Sequence, residues 1–189
     1  MAITPDIIPT VQIPSQTTLA RIHAAGKGAL FYGLRNQTWR WDAPDGSFGL
    51  LYLGETPIAS FAETLLRWPA TKRDVLWSDV DKRRLAFFET SRDLNLAQLH
   101  GSGVAAFGVQ PEALAGTSYD ECQAITAIVH DKSNLDGIRY RSRFNNDEFC
   151  IALFERAGAA VNLVTEGEPI DRDWAFDVLK DGGYNLIDL

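Results

Sequence analysis

The stretch "LYLGETPIASFAETLLR" (residues 51–67) joins a strand pattern to a helix pattern within one short segment. Its apolar start, read from Leu50, indicates a short strand that ends at Gly54. Thr56 and Pro57 are typical of a helix N-cap and of the first helical position. The helix is predicted to run to about Trp68, before Pro69. A strand that leads directly into a helix indicates that both kinds of element build this domain.

One carboxylate, Glu63, lies inside the predicted helix. The apolar face of that helix is predicted to contain Ile58, Phe61, Ala62 and Leu65. Glu63 falls beyond Leu66, towards the polar side. Taken alone, a glutamate at such a position is typically a solvated surface residue. On this reasoning, replacing Glu63 by alanine is expected to leave the fold intact.

The rest of the chain alternates between strand and helix patterns. Strands are predicted at residues 84–90, 137–142, 148–155 and 159–164, and a short one after a glycine-punctuated turn within 26–34. Helices are predicted at 118–131 and 171–181. Residues 36–49 are predicted to form a loop, and 91–118 a loop-rich segment with one helical turn after Pro111. This order predicts an α+β fold, with a mixed central β-sheet and flanking helices.

The length of 189 residues suits one domain with a short arm. Residues 1–18 contain Pro5, Pro9 and Pro14, which predicts an N-terminal extended arm. Residues 19–189 are predicted to form a single domain.

The formal net charge of −7 argues against direct, unaided binding of nucleic acid, which requires basic patches. An acidic surface could still meet a basic protein partner. No signal peptide and no apolar run of about 18 residues is visible, so no membrane association is expected. Cys122 and Cys150 are far apart in sequence. We therefore expect a cytoplasmic protein with reduced thiols.

Several familiar kinds of site are missing from the sequence. The histidines His23, His100 and His130 lack metal-ligand spacing, so no metal site is predicted. There is no G-x-S-x-G motif for a nucleophilic serine. Neither of the common glycine-rich nucleotide-binding loops is present.

Several motifs, taken in order, resemble the RES domain family, which is named for an arginine, a glutamate and a serine. In "ARIH", Arg21 fits the early arginine of the family. In "WRWDAPDGSFGLLYLGETPIASFAETLLR", Arg40, Tyr52 and Glu63 fit its second arginine, strand tyrosine and helix glutamate. In "YDECQAITAIVHDKSNLDGIRYRSR", Ser142 fits its serine.

The resemblance covers roughly residues 19–157. This sequence departs from the family pattern at two positions: Gly54 stands where alanine is common, and Ile22 where some members have an aromatic residue. The resemblance implies that the position of Ile22 belongs to the nicotinamide side of the pocket.

The resemblance implies a fold like that of the ADP-ribosyltransferase toxins, with NAD bound in a cleft of the sheet. Family members are typically toxins of toxin–antitoxin pairs that cleave the nicotinamide–ribose bond of NAD by hydrolysis or phosphorolysis. It thus implies NAD as substrate, phosphate as a potential co-substrate and an Xre-like helix-turn-helix antitoxin as partner. No true cofactor is implied. Two alternatives stay open: ADP-ribosyl transfer to a protein, and a catalytically silent protein-binding module. Homo-oligomerisation is also open.

The residue types suit that chemistry. Cleavage of a glycosidic bond develops positive charge on the ribose, which one carboxylate, Glu63, could stabilise. Without a glycine-rich loop, the guanidinium groups of Arg21 and Arg40 are the candidates for binding the pyrophosphate. An aromatic ring such as Tyr52 could stack on a base, and Ser142 could hydrogen bond the nicotinamide amide or a ribose hydroxyl. Arg21, Glu63 and Ser142 are the candidate catalytic residues.

Overall fold

The computed structural model describes residues 5–67 and 73–188. Its helices are α1 (Pro57–Leu65), α2 (Trp77–Val80), α3 (Gly103–Ala106), α4 (Pro111–Ala115), α5 (Asp120–Lys132) and α6 (Arg172–Asp181). Its strands are β1 (Thr10–Ile13), β2 (Thr18–Ala24), β3 (Leu50–Gly54), β4 (Asp74–Leu76), β5 (Arg83–Thr90), β6 (Leu94–Leu99), β7 (Gly137–Arg141), β8 (Phe149–Phe154), β9 (Val161–Pro169) and β10 (Asn185–Ile187). A 3-10 helix spans Glu155–Ala160.

Eight strands form one central sheet in the order β1-β6-β7-β8-β3-β2-β5-β9. The β6–β7 pair is parallel and the other neighbours are antiparallel, so the sheet is mixed. Strands β4 and β10 form a separate parallel pair. This confirms the predicted fold class.

Both faces of the sheet are covered by apolar side chains. On one face, residues of β6, β7 and β8 pack against Cys122, Ile125 and Val129 of α5. On the other, alternate residues of the same sheet, including Leu51 and Leu53, join the 3-10 helix in a second cluster. A third cluster packs α1 and α6 together, with Ile22 of β2. Period-two alternation along β3 therefore divides its side chains between two cores.

The predicted helix after Gly54 is confirmed, with a shorter span. The hydroxyl of Thr56 accepts a hydrogen bond from the backbone N–H of Ala59 at 3.0 Å, which caps α1 as expected. The helix ends at Leu65; Trp68 lies outside the described residues. Ile58 is exposed, and the buried face contains Ala59, Ser60, Phe61, Ala62 and Leu65. The apolar stripe is therefore rotated from the predicted one.

Two segments of the sequence prediction are wrong. Residues 26–34 form no strand. The carbonyl of Tyr32 accepts the N–H of Leu50 of β3, but these residues join no ladder of the sheet. Within the predicted loop 91–118, residues Leu94–Leu99 form β6, a central strand between β1 and β7. Asn95 and Gln98 interrupt its apolar pattern, and long-range pairing with two neighbours decides its conformation.

Residues 10–13 of the predicted arm are extended and form the edge strand β1, which pairs antiparallel with β6. The division of the chain into an arm and a domain at residue 18 stays a prediction.

Candidate active site at the gap between β2 and β3

Strands β2 and β3 are joined by one register pair, Ala20 with Gly54, and then diverge. We call the space between residues 21–24 of β2 and 50–53 of β3 the β2–β3 gap. At its wide end it is closed by Phe31 and Tyr32. The backbone N–H of Leu50 donates to the carbonyl of Tyr32 at 3.0 Å, and Arg21 donates to the carbonyl of Phe31 at 2.9 Å. The segment predicted to be a strand instead fills this opening.

Helix α1 closes over the narrow end of the gap, and Gly54 permits its close approach. A Cβ atom on Gly54 would lie 2.7 Å from the backbone N of Ser60 and from the carbonyl O of Thr56. The Ser60 hydroxyl donates to the carbonyl of Ala20 at 2.7 Å, beside the single register pair. The glycine that departs from the family's alanine is therefore required by this packing.

A cavity of about 380 Å³ lies in and beside the β2–β3 gap. Both strands, α1, β5, β7, β8 and the loop before β3 contribute to its lining, which consists of Arg21, Ile22, Trp39, Arg40, Trp41, Tyr52, Leu53, Gly54, Ser60, Glu63, Thr64, Arg67, Arg83, Tyr140 and Cys150. Four of the five predicted site residues, Arg21, Arg40, Tyr52 and Glu63, thus line one cavity. Ser142 does not.

Glu63 is the one carboxylate in this lining, and its side chain is only 18% exposed. Its Oε1 atom accepts the backbone N–H of Arg143 at 2.8 Å and faces Nη2 of Arg40 at 3.4 Å. No described residue hydrogen bonds its Oε2 atom. The carboxylate is thus fixed through one oxygen, and the other is available to a ligand.

Arg40 is buried beneath Glu63. Its guanidinium lies 4.8 Å from the ring centroid of Tyr140 and 5.3 Å from that of Trp41, and it donates to the carbonyl of Leu114 at 3.2 Å. Burial lowers its pKa, but the attraction of Glu63 and the neighbouring Tyr140 more than offset this, and the pKa lies above its ordinary value. Arg40 therefore carries a permanent charge that orients Glu63.

Arg21 differs from Arg40 because no described carboxylate pairs with it. Its one described hydrogen bond goes to the neutral carbonyl of Phe31. Burial lowers the pKa of Arg21 to about 10, only partly offset by the nearby Tyr32. A half-buried cation without a described counter-ion is costly, and an anionic ligand would relieve that cost.

Tyr52 is hydrogen bonded to protein. Its hydroxyl donates to Oδ1 of buried Asp42 at 2.8 Å and accepts the backbone N–H of Trp41 at 3.3 Å. Burial, followed by the charge of Asp42, raises the pKa of Tyr52 well above its usual value. The ring lines the cavity while the hydroxyl fixes the loop that carries Arg40.

Ser142 lies behind Glu63. It is only 2% exposed, and its hydroxyl accepts the backbone N–H groups of Phe144 at 3.2 Å and Asn145 at 3.3 Å. The turn that these bonds close presents the N–H of Arg143 to Glu63. Direct contact between Ser142 and a ligand stays a prediction; the observed contacts place it in support of the carboxylate.

Comparison with known proteins decides the family. The model of the RES domain family matches residues 18–178, which is most of the chain.

The chain belongs to the RES domain family.

A solved structure with a similar fold is the crystal structure of the M. tuberculosis MbcT–MbcA toxin–antitoxin complex. It superposes with a TM-score of 0.71 at 16% sequence identity, covering 89% of this chain and 92% of the other. A search of curated proteins finds no significant match. The structural likeness shows that this RES domain shares the fold of that chain.

Several residues that line the cavity were not predicted from the sequence, among them Trp39, Arg67 and Arg83. Arg67 lies over the ring of Trp39, 4.1 Å from its centroid. The Nε atom of Arg83 is buried without a described hydrogen-bond partner. The repeated tryptophan in "TWRWD" was an available signal, because it places two large aromatic side chains on either side of Arg40 in a predicted loop. No local pattern singled out Arg67 or Arg83.

The cavity of this RES domain is positively charged although the chain as a whole has a net charge of −7. Four arginines, Arg21, Arg40, Arg67 and Arg83, share its lining with Glu63. Only Arg40 has a carboxylate within 4.0 Å, counting the residues that the structure describes. The site therefore suits a ligand that carries more than one negative charge.

No described group of three or more His, Cys, Asp and Glu side chains could hold a metal ion. Over the same residues, none of the helices has the length and apolar content needed to cross a membrane.

Proposed function

We propose that this RES domain is the toxin of a toxin–antitoxin pair and that it cleaves the nicotinamide–ribose bond of NAD. The observation that carries the proposal is the environment of Glu63. One carboxylate oxygen is fixed by Arg40 and by the N–H of Arg143, and no described residue hydrogen bonds the other. The cavity also contains Arg21, Arg67 and Arg83, none of which pairs with a described carboxylate. Membership of the RES family supports the same reaction.

The chemistry requires few protein groups. The bond between the ribose C1′ and the nicotinamide nitrogen breaks, and its electron pair neutralises the cationic pyridinium, so nicotinamide leaves without a proton. Positive charge then develops on the ribose, and Glu63 stabilises it electrostatically. The new bond to this ribose carbon is formed either by water, which loses a proton, or by phosphate. Products are ADP-ribose or its 1″-phosphate, respectively.

The arginines have the complementary role of binding the pyrophosphate. Arg21 supplies a charge that no described carboxylate neutralises, and the guanidinium plane matches phosphate oxygens. Arg40 holds Glu63, and it contacts phosphate only as a secondary partner. Of the two arginines proposed for phosphate binding, Arg21 is therefore the principal one.

The proposal is tested by incubating purified protein with NAD, with and without phosphate, and identifying the products. Nicotinamide with ADP-ribose indicates hydrolysis, and a phosphate-dependent 1″-phosphate indicates phosphorolysis. Label on a protein target would indicate ADP-ribosyl transfer instead. Wild-type protein that neither binds nor consumes NAD would exclude the reaction and favour a binding module.

Replacing Arg21 by alanine should weaken NAD binding about tenfold or more, since a hydrogen bond to a charged group contributes roughly 1.5–3 kcal/mol. Calorimetry measures the dissociation constant. Arg35→Ala is the matched control: Arg35 pairs with Glu155 and does not line the cavity. Equal NAD affinity in the Arg21 and Arg35 variants would remove Arg21 from phosphate binding.

We further propose that the partner is an antitoxin with an Xre-like helix-turn-helix. The support is membership of the RES family, together with the solved structure of similar fold, which is a toxin–antitoxin complex. Co-purification of this chain with the product of the neighbouring gene, followed by loss of NAD consumption, is the test.

A further inference from the structure

At the outer edge of the cavity, Trp39 and Arg67 form a pair of stacked side chains that we call the rim pair. Trp39 is 38% exposed, whereas Trp41 in the same lining is 1% exposed. Arg67 covers Trp39 at 4.1 Å from the ring centroid. The cavity thus changes from a buried floor of Trp41, Tyr140 and Arg40 to a partly open aromatic rim.

The backbone of Trp39 is fixed although its ring is exposed. Its N–H donates to Oδ2 of Asp42 at 2.9 Å, and its carbonyl accepts the side-chain amide of Gln123 at 3.1 Å. The same amide group also donates to the carbonyl of Gln37 at 3.1 Å. Asp42 and Gln123 are both buried. An exposed ring on an anchored backbone loses little conformational entropy when a flat ligand stacks on it.

We infer that the rim pair is the subsite that stacks the adenine ring of NAD. This rests on the proposed function, in which the scissile bond lies at Glu63. A pyridinium ring would be repelled by Arg67 at the rim and attracted by Glu63, so the nicotinamide end goes to the carboxylate. The neutral adenine, at the other end of the dinucleotide, then reaches the rim, where an indole and a guanidinium offer planar faces for stacking.

The test compares NAD with two smaller probes: AMP, which retains the adenine, and nicotinamide mononucleotide, which lacks it. Base stacking on an aromatic side chain is worth roughly 1–3 kcal/mol by alanine substitution, so Trp39→Ala should weaken AMP binding about 5- to 150-fold. The same substitution should raise KM for NAD by a similar factor. KM for nicotinamide mononucleotide should not change.

Two matched controls separate stacking from general effects. Phe176→Ala removes an exposed aromatic ring on α6 that does not line the cavity. Arg172→Ala, compared with Arg67→Ala, removes an arginine that lies over Trp77, again outside the cavity lining. Phe176→Ala and Arg172→Ala should bind AMP as the wild type does.

The outcomes distinguish this inference from the proposed reaction. If Trp39→Ala and wild type bind AMP equally, or if the substitution raises KM for both substrates alike, the adenine subsite is not at the rim pair. If the wild type binds AMP through Trp39 but never consumes NAD, the subsite stands and the proposed reaction is wrong.

Discussion

At the scale of single residues, Glu63 and Arg40 depend on each other. Arg40 is buried, with 8% of its side chain exposed, and Glu63 is its one described carboxylate partner. The sequence reasoning expected Glu63→Ala to leave the fold intact, because the residue falls on the polar side of a helical wheel. The ion pair alters that expectation, because alanine would strand a buried charge.

We therefore expect different results from two substitutions of Glu63. Glu63→Ala should lower the free energy of unfolding by about 1–3 kcal/mol, less than the cost for a fully buried pair because Glu63 is partly exposed. Glu63→Gln retains an oxygen for the N–H of Arg143 and should unfold closer to the wild type, while NAD cleavage falls to background. Urea denaturation and nicotinamide release measure the two effects.

An Ala variant as stable as the Gln variant would show that the contact with Arg40 adds nothing to stability. NAD cleavage by the Gln variant at the wild-type rate would remove the negative charge of Glu63 from the mechanism.

Some residues of the candidate site could be predicted from the sequence, and others could not. Arg21, Arg40, Tyr52 and Glu63 followed from the order of several motifs, not from periodicity, which favoured a solvated Glu63. Arg67 could not be predicted, because its place depends on how α1 approaches the loop before β3. The alternating strand pattern at residues 137–142 also could not predict that the Ser142 hydroxyl is buried in the turn that follows.

At the scale of elements, the turn after β7 links Ser142 to the carboxylate. Ser142→Ala removes the acceptor of two backbone N–H groups, each bond worth about 0.5–1.5 kcal/mol. The N–H of Arg143 should then be less well placed on Glu63. We expect kcat for NAD to fall about tenfold with little change in KM, and Ser142→Thr to recover part of the loss.

Steady-state kinetics of the Ser142 variants decide between two roles. A rise in KM with unchanged kcat would instead indicate that the Ser142 hydroxyl binds NAD directly, as the family resemblance implies.

Many helices and strands could be predicted, because their local sequence pattern favours the same conformation as their tertiary contacts. The cap of α1 and the strands β5, β7 and β8 are examples. Two of the exceptions depend on distant partners: residues 26–34 lie against β3, and Leu94–Leu99 become a central strand through β1 and β7. The central strand β2 was not predicted either. Such pairing leaves little trace in a single sequence.

At the scale of the whole molecule, charge is divided between a cationic cavity and an acidic remainder. The net charge is −7, although four arginines line the cavity. An antitoxin that blocks the cavity should therefore place a carboxylate on Arg21, in the manner of a phosphate, while a basic body faces the acidic surface.

We expect added salt to slow the association of the antitoxin while leaving a tight complex, since long-range attraction sets the on-rate more than the affinity. Stopped-flow binding at several salt concentrations measures this. Arg21→Ala should weaken the complex, with Arg35→Ala as control. NAD that binds the complex as tightly as the free domain would exclude blockage of the cavity.

The single register pair between β2 and β3 has a mechanical consequence. It divides the sheet into a five-stranded part, β1-β6-β7-β8-β3, and a three-stranded part, β2-β5-β9. Few ladder bonds resist their separation, and the cavity is lined by Arg21 and Ile22 on one side and by Tyr52 and Leu53 on the other. A ligand bound there would bridge the two parts, so we expect the sheet to be more rigid with ligand bound than without it.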